Sequence, residues 1–554
     1  MLVSTALVIA FIAPHRVQTI ATQHRIAPIV SSAVAPAAEA CVIGGGPAGL
    51  ATAWTLATRG FDVTLIEKRP EPTMYEAQKA YLYLVDGRGQ QFTDAAGLTE
   101  ELASPSVSVS STNYTVTRCL PDGTRPAVVP PILEATVKPS YWIPRQALLS
   151  LLTRALTNLP AGTAGSVRTL YGREVAALKR TDAGGVEVSV REGPAEGDGS
   201  VETLKPALLV GADGLSSLVR ARCAEWSAAD ASLGAMAADF TLVELPSPSS
   251  GLLYKMLRLP PAFRLDTEDE SATAEPRKAY SMRPSKEAPL GPTRLGLLPV
   301  ADPSYPRTAN VILPPEHPVW ELESAEAVRG WLRETFPHLP TDSFISEDEA
   351  ESFASERPGA FPAPCYSPRQ HLLLPKASVA LVGDAVHAFP PDIGQGVNAA
   401  LSDVMMLSKA LDDAAERELT SDDSEGRGPA DAPAQARALL ERALPAYGRA
   451  CAPEAEAVVR IAQIGFPYQY PITREKSPLQ RFGWFANFFA RTFVLAKLAP
   501  KLFTPAAIVL VQRAHLSYAQ AWALAGRTTR RMQAIGLVAA LGAAWPWLRR
   551  LACV

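Results

Sequence analysis

The chain has 554 residues, 47% apolar and 20% charged, with 53 Lys plus Arg against 56 Asp plus Glu for a net charge of -3. That length provides for two or three domains, and that composition excludes wholesale disorder and a polytopic membrane protein. Without a basic surplus no nucleic-acid partner is expected, and six scattered cysteines with no CxxC pair argue against a disulfide framework and a cysteine zinc site.

Residues 1–38 carry no acidic residue; the first is Glu39. A short apolar run from Leu2 to Ala13 precedes a stretch with His15, Arg16, His24 and Arg25, and this order reads as a targeting presequence. Phe11 lies where algal bipartite presequences place an aromatic residue, so an organelle is expected, a plastid ahead of a mitochondrion. Residues 39–224 then read as the first part of a nucleotide-binding domain: strand Ala40 to Ile43, a glycine turn, a helix to Thr58, and strand Asp62 to Ile66. A further αβ unit lies near Ala147 to Ala155.

The turn Gly44-Gly45-Gly46-Pro47-Ala48-Gly49 has the G-x-G-x-x-G spacing. Gly44 permits the tight bend, Gly46 lets backbone approach a pyrophosphate, and Gly49 allows close helix–strand packing. Glu67 follows about 20 residues on, placed to accept from ribose hydroxyls, with Lys68 beside it. Residues 225–360 change character, with many prolines and short strand-like runs at Arg294 to Leu298 and Asn310 to Leu313. They are expected to form an antiparallel β-sheet substrate domain inserted into an α/β, Rossmann-like domain that resumes over 361–411. Residues 412–436 are expected as a disordered acidic loop and 437–531 as a helical region. Residues 532–554 are expected as an apolar tail. Met532 to Leu548, flanked by arginine pairs, reaches about 25 Å as a helix, which suits a membrane surface better than a crossing.

FAD and NAD share the glycine fingerprint, and two later segments separate them. Leu209-Val210-Gly211-Ala212-Asp213-Gly214 and Leu381-Val382-Gly383-Asp384-Ala385 each end an apolar strand with Gly and Asp. With Val379 to Asp403 as a whole, these motifs resemble the class A flavoprotein monooxygenases, the FAD-dependent aromatic hydroxylases. The resemblance narrows towards the kynurenine 3-monooxygenases through Lys79 to Gly89, Trp142 to Leu148, and Gly383 to Asn398. It implies FAD as cofactor and NADPH as a transient reductant, since no second G-x-G-x-x-G occurs. By the same resemblance O₂ adds at the flavin C4a and the hydroperoxide hydroxylates an aromatic or other small lipophilic substrate.

The resemblance also assigns residues. Asp384 would bind the ribityl chain, Asp213 and Gly214 would lie near the pyrophosphate, and Arg145 would contact the flavin. Pro391, Gly394, Gln395, Gly396, Val397 and Asn398 would shield the isoalloxazine ring. Departures concern the substrate. Two tyrosines that hold kynurenine in the family fall on Leu133 and Ala507, its pocket asparagine near Gln463 or Ile464, and its paired aromatics on Asp392 and Ile393. Arg118 stands where the family has a carboxylate-binding arginine. His387 has no partner at ligand spacing, so no metal site is expected. The alternatives are an epoxidase or reductase of an isoprenoid or quinone, and a membrane-associated flavin binder that does not hydroxylate.

Overall fold

The computed structural model describes residues 38–71, 81–113, 116–127, 138–192, 200–419, 432–465, 468, 470 and 478–552. Residues 1–37 of the expected presequence, Lys79 and Leu133 lie outside these residues, and Ala38 already belongs to a strand. A six-stranded sheet forms the centre, in the spatial order His371–Leu373, Ser378–Leu381, Leu208–Gly211, Ala38–Ile43, Phe61–Glu67, Ser166–Tyr171. All neighbours are parallel except the first pair. Strand Ala38–Ile43 lies mid-sheet with only Glu39 exposed, as expected of a parallel strand covered on both faces. Helix Pro47–Ala57 starts with proline, whose missing amide costs nothing there, and buries every residue from Ala48 to Ala57.

A seven-stranded sheet forms the second layer system, in the order Gly359–Ala360, Leu253–Leu259, Arg307–Leu313, Leu295–Leu297, Ala279–Met282, Val116–Leu120, Gly123–Ala127. One face packs on helices Ala325–Thr335 and Glu347–Ser355 through Leu257, Leu297, Trp331 and Phe353. This corrects the expected boundaries. Residues 225–360 do not build the sheet alone, because Val116–Leu120 and Gly123–Ala127 from the first part add two strands, Val116–Leu120 pairing in parallel with Ala279–Met282. Only a long-range pairing joins them, which no local pattern reports.

Two more boundaries move. Helix Gly396–Leu419 runs eight residues into the segment expected as disordered, and the next helix, Ala432–Ile464, begins before that segment ends. Asp412, inside it, accepts from Arg59 Nε at 2.8 Å and Nη2 at 2.7 Å, so an acid that looks solvated in sequence is an anchor. At the other end helix Tyr518–Ala552 passes the expected 531/532 boundary without a break. Among the described residues no helix is long and apolar enough to cross a membrane.

Candidate active site

The glycine turn is fixed by steric necessity. At Gly44, with φ of +106°, an added Cβ would lie 2.3 Å from the Ala212 carbonyl oxygen. At Gly49 it would lie 1.8 Å from the Gly44 carbonyl oxygen. At Gly46 nothing among the described residues comes within 4 Å of that point, so the open side of the cradle is there. Ala48 supports Gly383, whose added Cβ would approach the Ala48 methyl to 2.9 Å. The two cofactor motifs therefore touch.

Glu67, at the end of its strand, is buried and already engaged. Its Oε2 accepts from the Gly45 amide at 2.6 Å, and its Oε1 accepts from the Arg69 amide at 2.9 Å and Arg69 Nε at 3.0 Å. Burial opposes ionisation, but the Arg69 hydrogen bonds and charge, with the Gly45 amide, outweigh it and hold the carboxyl below its ordinary range. A ribose hydroxyl thus reaches Glu67 only by sharing or displacing an Arg69 contact. Arg69 escaped the sequence reading, while Lys68 is exposed. Strand alternation could have found it, since residues two apart share a face.

Asp213 divides its carboxylate. Oδ2 accepts from the Val219 amide at 3.1 Å, at the start of helix Leu218–Ala229, whereas Oδ1 is buried with no partner among the described residues. Burial pushes this carboxyl up, against the hydrogen bonds of that helix start. Gly214 follows with φ of +81°. Arg220 ties this turn to the next motif, donating to the Leu215 carbonyl at 2.6 Å and the Ala385 carbonyl at 2.7 Å.

Gly383–Ala385 forms a single tight turn, with Gly383 at φ of +63° and its amide donating to Asp403 Oδ2 at 2.9 Å. His387 Nε2 shares that oxygen at 2.9 Å, and its ring stacks on Phe389 with centroids 6.2 Å apart. Burial lowers the affinity of His387 for a proton, but Asp403 more than reverses this and raises it above the usual range. Asp384 opens into the cleft and is exposed. Protein still surrounds it, and desolvation raises its carboxyl; His387 opposes the rise and Asp403 adds to it.

The loop after this turn separates into two faces. Pro391 is exposed and Gly394 and Gly396 half-exposed, whereas Gln395, Val397 and Asn398 are buried. Gln395 was expected to shield the flavin. Its side chain turns inward, where its Oε1 accepts from Tyr518 Oη at 2.9 Å and Arg88 Nη1 at 3.4 Å. A buried amide finds polar partners wherever the fold supplies them, and here the C-terminal helix does. Asn398 donates to the Leu84 carbonyl at 2.8 Å and accepts from the Asp86 amide at 3.0 Å, tying the loop to strand Leu82–Val85.

Arg145 opens helix Arg145–Thr157, its amide donating to the Tyr81 carbonyl at 3.1 Å. The rings of Tyr81 and Tyr83 pack edge to face at 5.4 Å. Burial raises both hydroxyls above their ordinary range, with Arg145 opposing and Asp384 reinforcing, so these four groups form one cluster. Tyr254 completes it, stacked on Phe361 at 5.0 Å, and Phe361 in turn packs on Tyr470 at 6.3 Å. Tyr470 Oη donates to Asp392 Oδ1 at 2.9 Å, and Ser249 hydrogen-bonds the other oxygen. Neither Tyr254, Phe361 nor Tyr470 was legible, since they meet only through long-range folding.

The open cradle at Gly46, the unpartnered Asp213 oxygen and the cleft-facing Asp384 fit a dinucleotide with a pyrophosphate and a polyol chain. The model of the FAD binding domain matches residues 37–256 and 374–423, and the gap between them holds most of the seven-stranded sheet. The chain is similar to the FAD-dependent monooxygenases. Kynurenine 3-monooxygenase of Salinispora arenicola is 26% identical over 516 residues, covering 91% of this chain and 94% of that one. The enzyme of the same name from Dictyostelium discoideum is 22% identical over 374 residues, 67% of this chain and 69% of that one. A solved 2-methyl-3-hydroxypyridine-5-carboxylic acid oxygenase shares the fold, at 19% identity and a TM-score of 0.50 over 87% of this chain and 100% of that one.

Proposed function

We propose that this monooxygenase hydroxylates a small aromatic ring held between the Tyr254–Phe361–Tyr470 wall and the Pro391–Gly396 loop. The oxygen-transfer chemistry is supplied by FAD, reduced by NADPH and reoxidised by O₂. The protein's part is placement. Gly44, Gly46, Pro47, Ala48 and Gly49 bring backbone amides to the pyrophosphate, Asp213 Oδ1 and Asp384 accept cofactor hydroxyls or amides, and Arg145 faces the ring system. The half-exposed Gly394 and Gly396 backbone forms the floor on which a substrate ring excludes water. The observation that carries this reading is the convergence of that aromatic wall with Asp384 and Arg145 through Tyr81 and Tyr254. Asp384→Ala is expected to weaken FAD binding about tenfold to a hundredfold, since a charge-assisted acceptor is lost. Equilibrium flavin titration checks this, and unchanged affinity counts against the assignment.

L-Kynurenine itself is expected to be a poor substrate. Ala507 is buried in the apolar cluster of Ile393, Leu510 and Tyr518, so it offers no hydroxyl to an amino-acid end. Among the described residues Gln463 hydrogen-bonds only the Pro246 carbonyl, at 3.5 Å, and Ile464 is exposed. Each polar contact left unmade costs roughly 1–3 kcal/mol. Anaerobic flavin reduction by NADPH should therefore speed up little on adding L-kynurenine. A large stimulation, followed in air by stoichiometric 3-hydroxykynurenine, shows the opposite.

The C-terminal region supports association with a membrane surface, which we propose as well. Helix Pro478–Phe489 buries no residue and exposes Leu479, Phe482, Phe485 and Phe489, while Ile535, Leu537, Val538 and Leu541 are exposed on the last helix. Such an apolar stripe beside basic residues suits a bilayer interface. The full chain should float with phosphatidylcholine–phosphatidylserine vesicles, and Phe482→Glu with Phe485→Glu should leave it in the soluble fraction. Equal flotation of both refutes the stripe as the contact.

A further inference from the structure

The single turn Pro391–Ile393 sends two neighbouring side chains in different directions. Ile393 is buried among Ala507, Leu510 and Tyr518, on the side of the C-terminal helices. Asp392 is half-buried and reaches the substrate domain, where its Oδ2 accepts from Ser249 Oγ and its Oδ1 from Tyr470 Oη at 2.9 Å. Both donors are tied to Phe361. The Gly251 amide donates to the Phe361 carbonyl at 3.0 Å and the Phe361 amide to the Leu252 carbonyl at 2.9 Å, which fixes the turn that carries Ser249. The Phe361 ring packs on Tyr470. Asp392 is therefore the point at which the flavin-side loop meets the aromatic wall.

This carboxylate is short of donors and has no counter-ion. Among the described residues the two hydroxyls are its only hydrogen-bond partners, and no cation pairs with it. Two carboxylate oxygens offer about four acceptor positions, so about half of them stay open. Burial pushes the carboxyl above its ordinary range, and the Ser249 and Tyr470 hydroxyls oppose that rise only in part. A carboxylate withdrawn from water without a cation is unfavourable until another donor reaches it. The resembling family carries aromatic residues at the positions of Asp392 and Ile393, so this acceptor is the chain's own departure and not part of the family's pocket.

We propose that Asp392 is a specificity-determining residue of this pocket, its carboxylate accepting a hydrogen bond from a hydroxyl or amino group on the substrate ring while Ser249 and Tyr470 hold it in place. The inference rests on the hydroxylase reading and deepens it by naming the substituent the ring must carry. A ring seated between the aromatic wall and the Pro391–Gly396 loop has its edge at the corner these two make, and Asp392 is that corner. A hydrogen bond to an ionised acceptor is about twice as strong as one between neutral groups. An ether, a quinone or an isoprenoid hydrocarbon brings only acceptors or no polar atom, and leaves the carboxylate desolvated and unmet. The donor thus separates a phenol or an aniline from the lipophilic alternatives.

The test is calorimetric titration of the FAD-loaded full chain with the 3- and 4-isomers of hydroxyacetophenone, aminoacetophenone and methoxyacetophenone. Methylation of the hydroxyl removes the donor and keeps the acceptor oxygen. At one ring position at least, the hydroxy or amino isomer should bind about tenfold or more tighter than the methoxy isomer. Asp392→Leu should abolish this preference while FAD stays bound. Asp392→Asn keeps the shape and an acceptor for Tyr470 but loses the charge, so it should reduce the preference, and it carries the test if the leucine variant does not hold FAD. Failure of every isomer to bind, equal binding of protic and methoxy isomers, or a preference unchanged in the variants overturns the proposal. Weakening of the hydroxy, amino and methoxy isomers by one common factor overturns it as well, assigning Asp392 to holding the loop and not to reading the ring. An Asp392-dependent preference without any hydroxylated product leaves the site standing and counts against the hydroxylase reading instead.

Discussion

Gly49→Ala is expected to yield a chain that purifies colourless and unfolds early. Alanine improves helix propensity by about 1 kcal/mol over glycine, so local preference alone would favour the change. The steric term is larger and of opposite sign. The new methyl would lie 1.8 Å from the Gly44 carbonyl oxygen, and both are backbone-fixed in the tightest part of the turn. The turn must open by more than an ångström, and with it goes the hydrogen bond from the Gly45 amide to Glu67. A loss of roughly 2–4 kcal/mol, the range of overpacked and strained sites, is expected in urea unfolding, together with loss of flavin absorbance. Gly46→Ala separates the two effects. Nothing among the described residues lies within 4 Å of its new methyl, so the fold should keep its stability while FAD binding falls. If Gly46→Ala retains FAD with full affinity, the pyrophosphate does not approach where the cradle opens.

The second large effect is expected at Arg88. This buried guanidinium donates to Asp86 at 3.0 Å and to the carbonyls of Val511 at 2.9 Å, Arg513 at 3.1 Å and Leu516 at 2.9 Å. It also lies 4.6 Å from the Tyr518 ring centroid. Arg88→Met keeps much of the volume but strands the Asp86 carboxylate and three carbonyls, a loss of about 3–5 kcal/mol for a broken buried pair. The chemical consequence follows from Gln395, which Arg88 and Tyr518 hold together. With that clamp gone the Pro391–Asn398 loop loosens, and NADPH oxidation should release more hydrogen peroxide per product formed. Arg88→Lys restores the charge but not the fork, so it should recover stability in part and coupling less. A destabilisation under 1 kcal/mol with unchanged peroxide release contradicts this role.

What the sequence discloses here is whatever a short segment can dictate. Gly44 to Gly49, Asp213-Gly214 and Gly383-Asp384 are legible because each needs its own strand and turn within a few residues, and the structure brings all three to the C-terminal ends of three adjacent parallel strands. The direction of the Gln395 side chain was not legible for the complementary reason: it depends on Arg88 and Tyr518, separated from it by 307 and 123 positions. Asp412 looked solvated until Arg59, 353 positions away, met it. The aromatic wall arises from ring contacts among Tyr254, Phe361 and Tyr470, which lie far apart in the chain, and composition and spacing do not encode such contacts.

The claim at the centre is that this chain inserts one atom of O₂ into an aromatic ring. The direct test is mass spectrometry of products from the FAD-loaded enzyme turning over NADPH with a panel of aromatic compounds under oxygen-18 gas. The expected result is a ring product heavier by a single oxygen-18 atom, formed in proportion to the NADPH consumed. Consumption of NADPH with every ring recovered unchanged, or a product whose new oxygen comes from water, would contradict it.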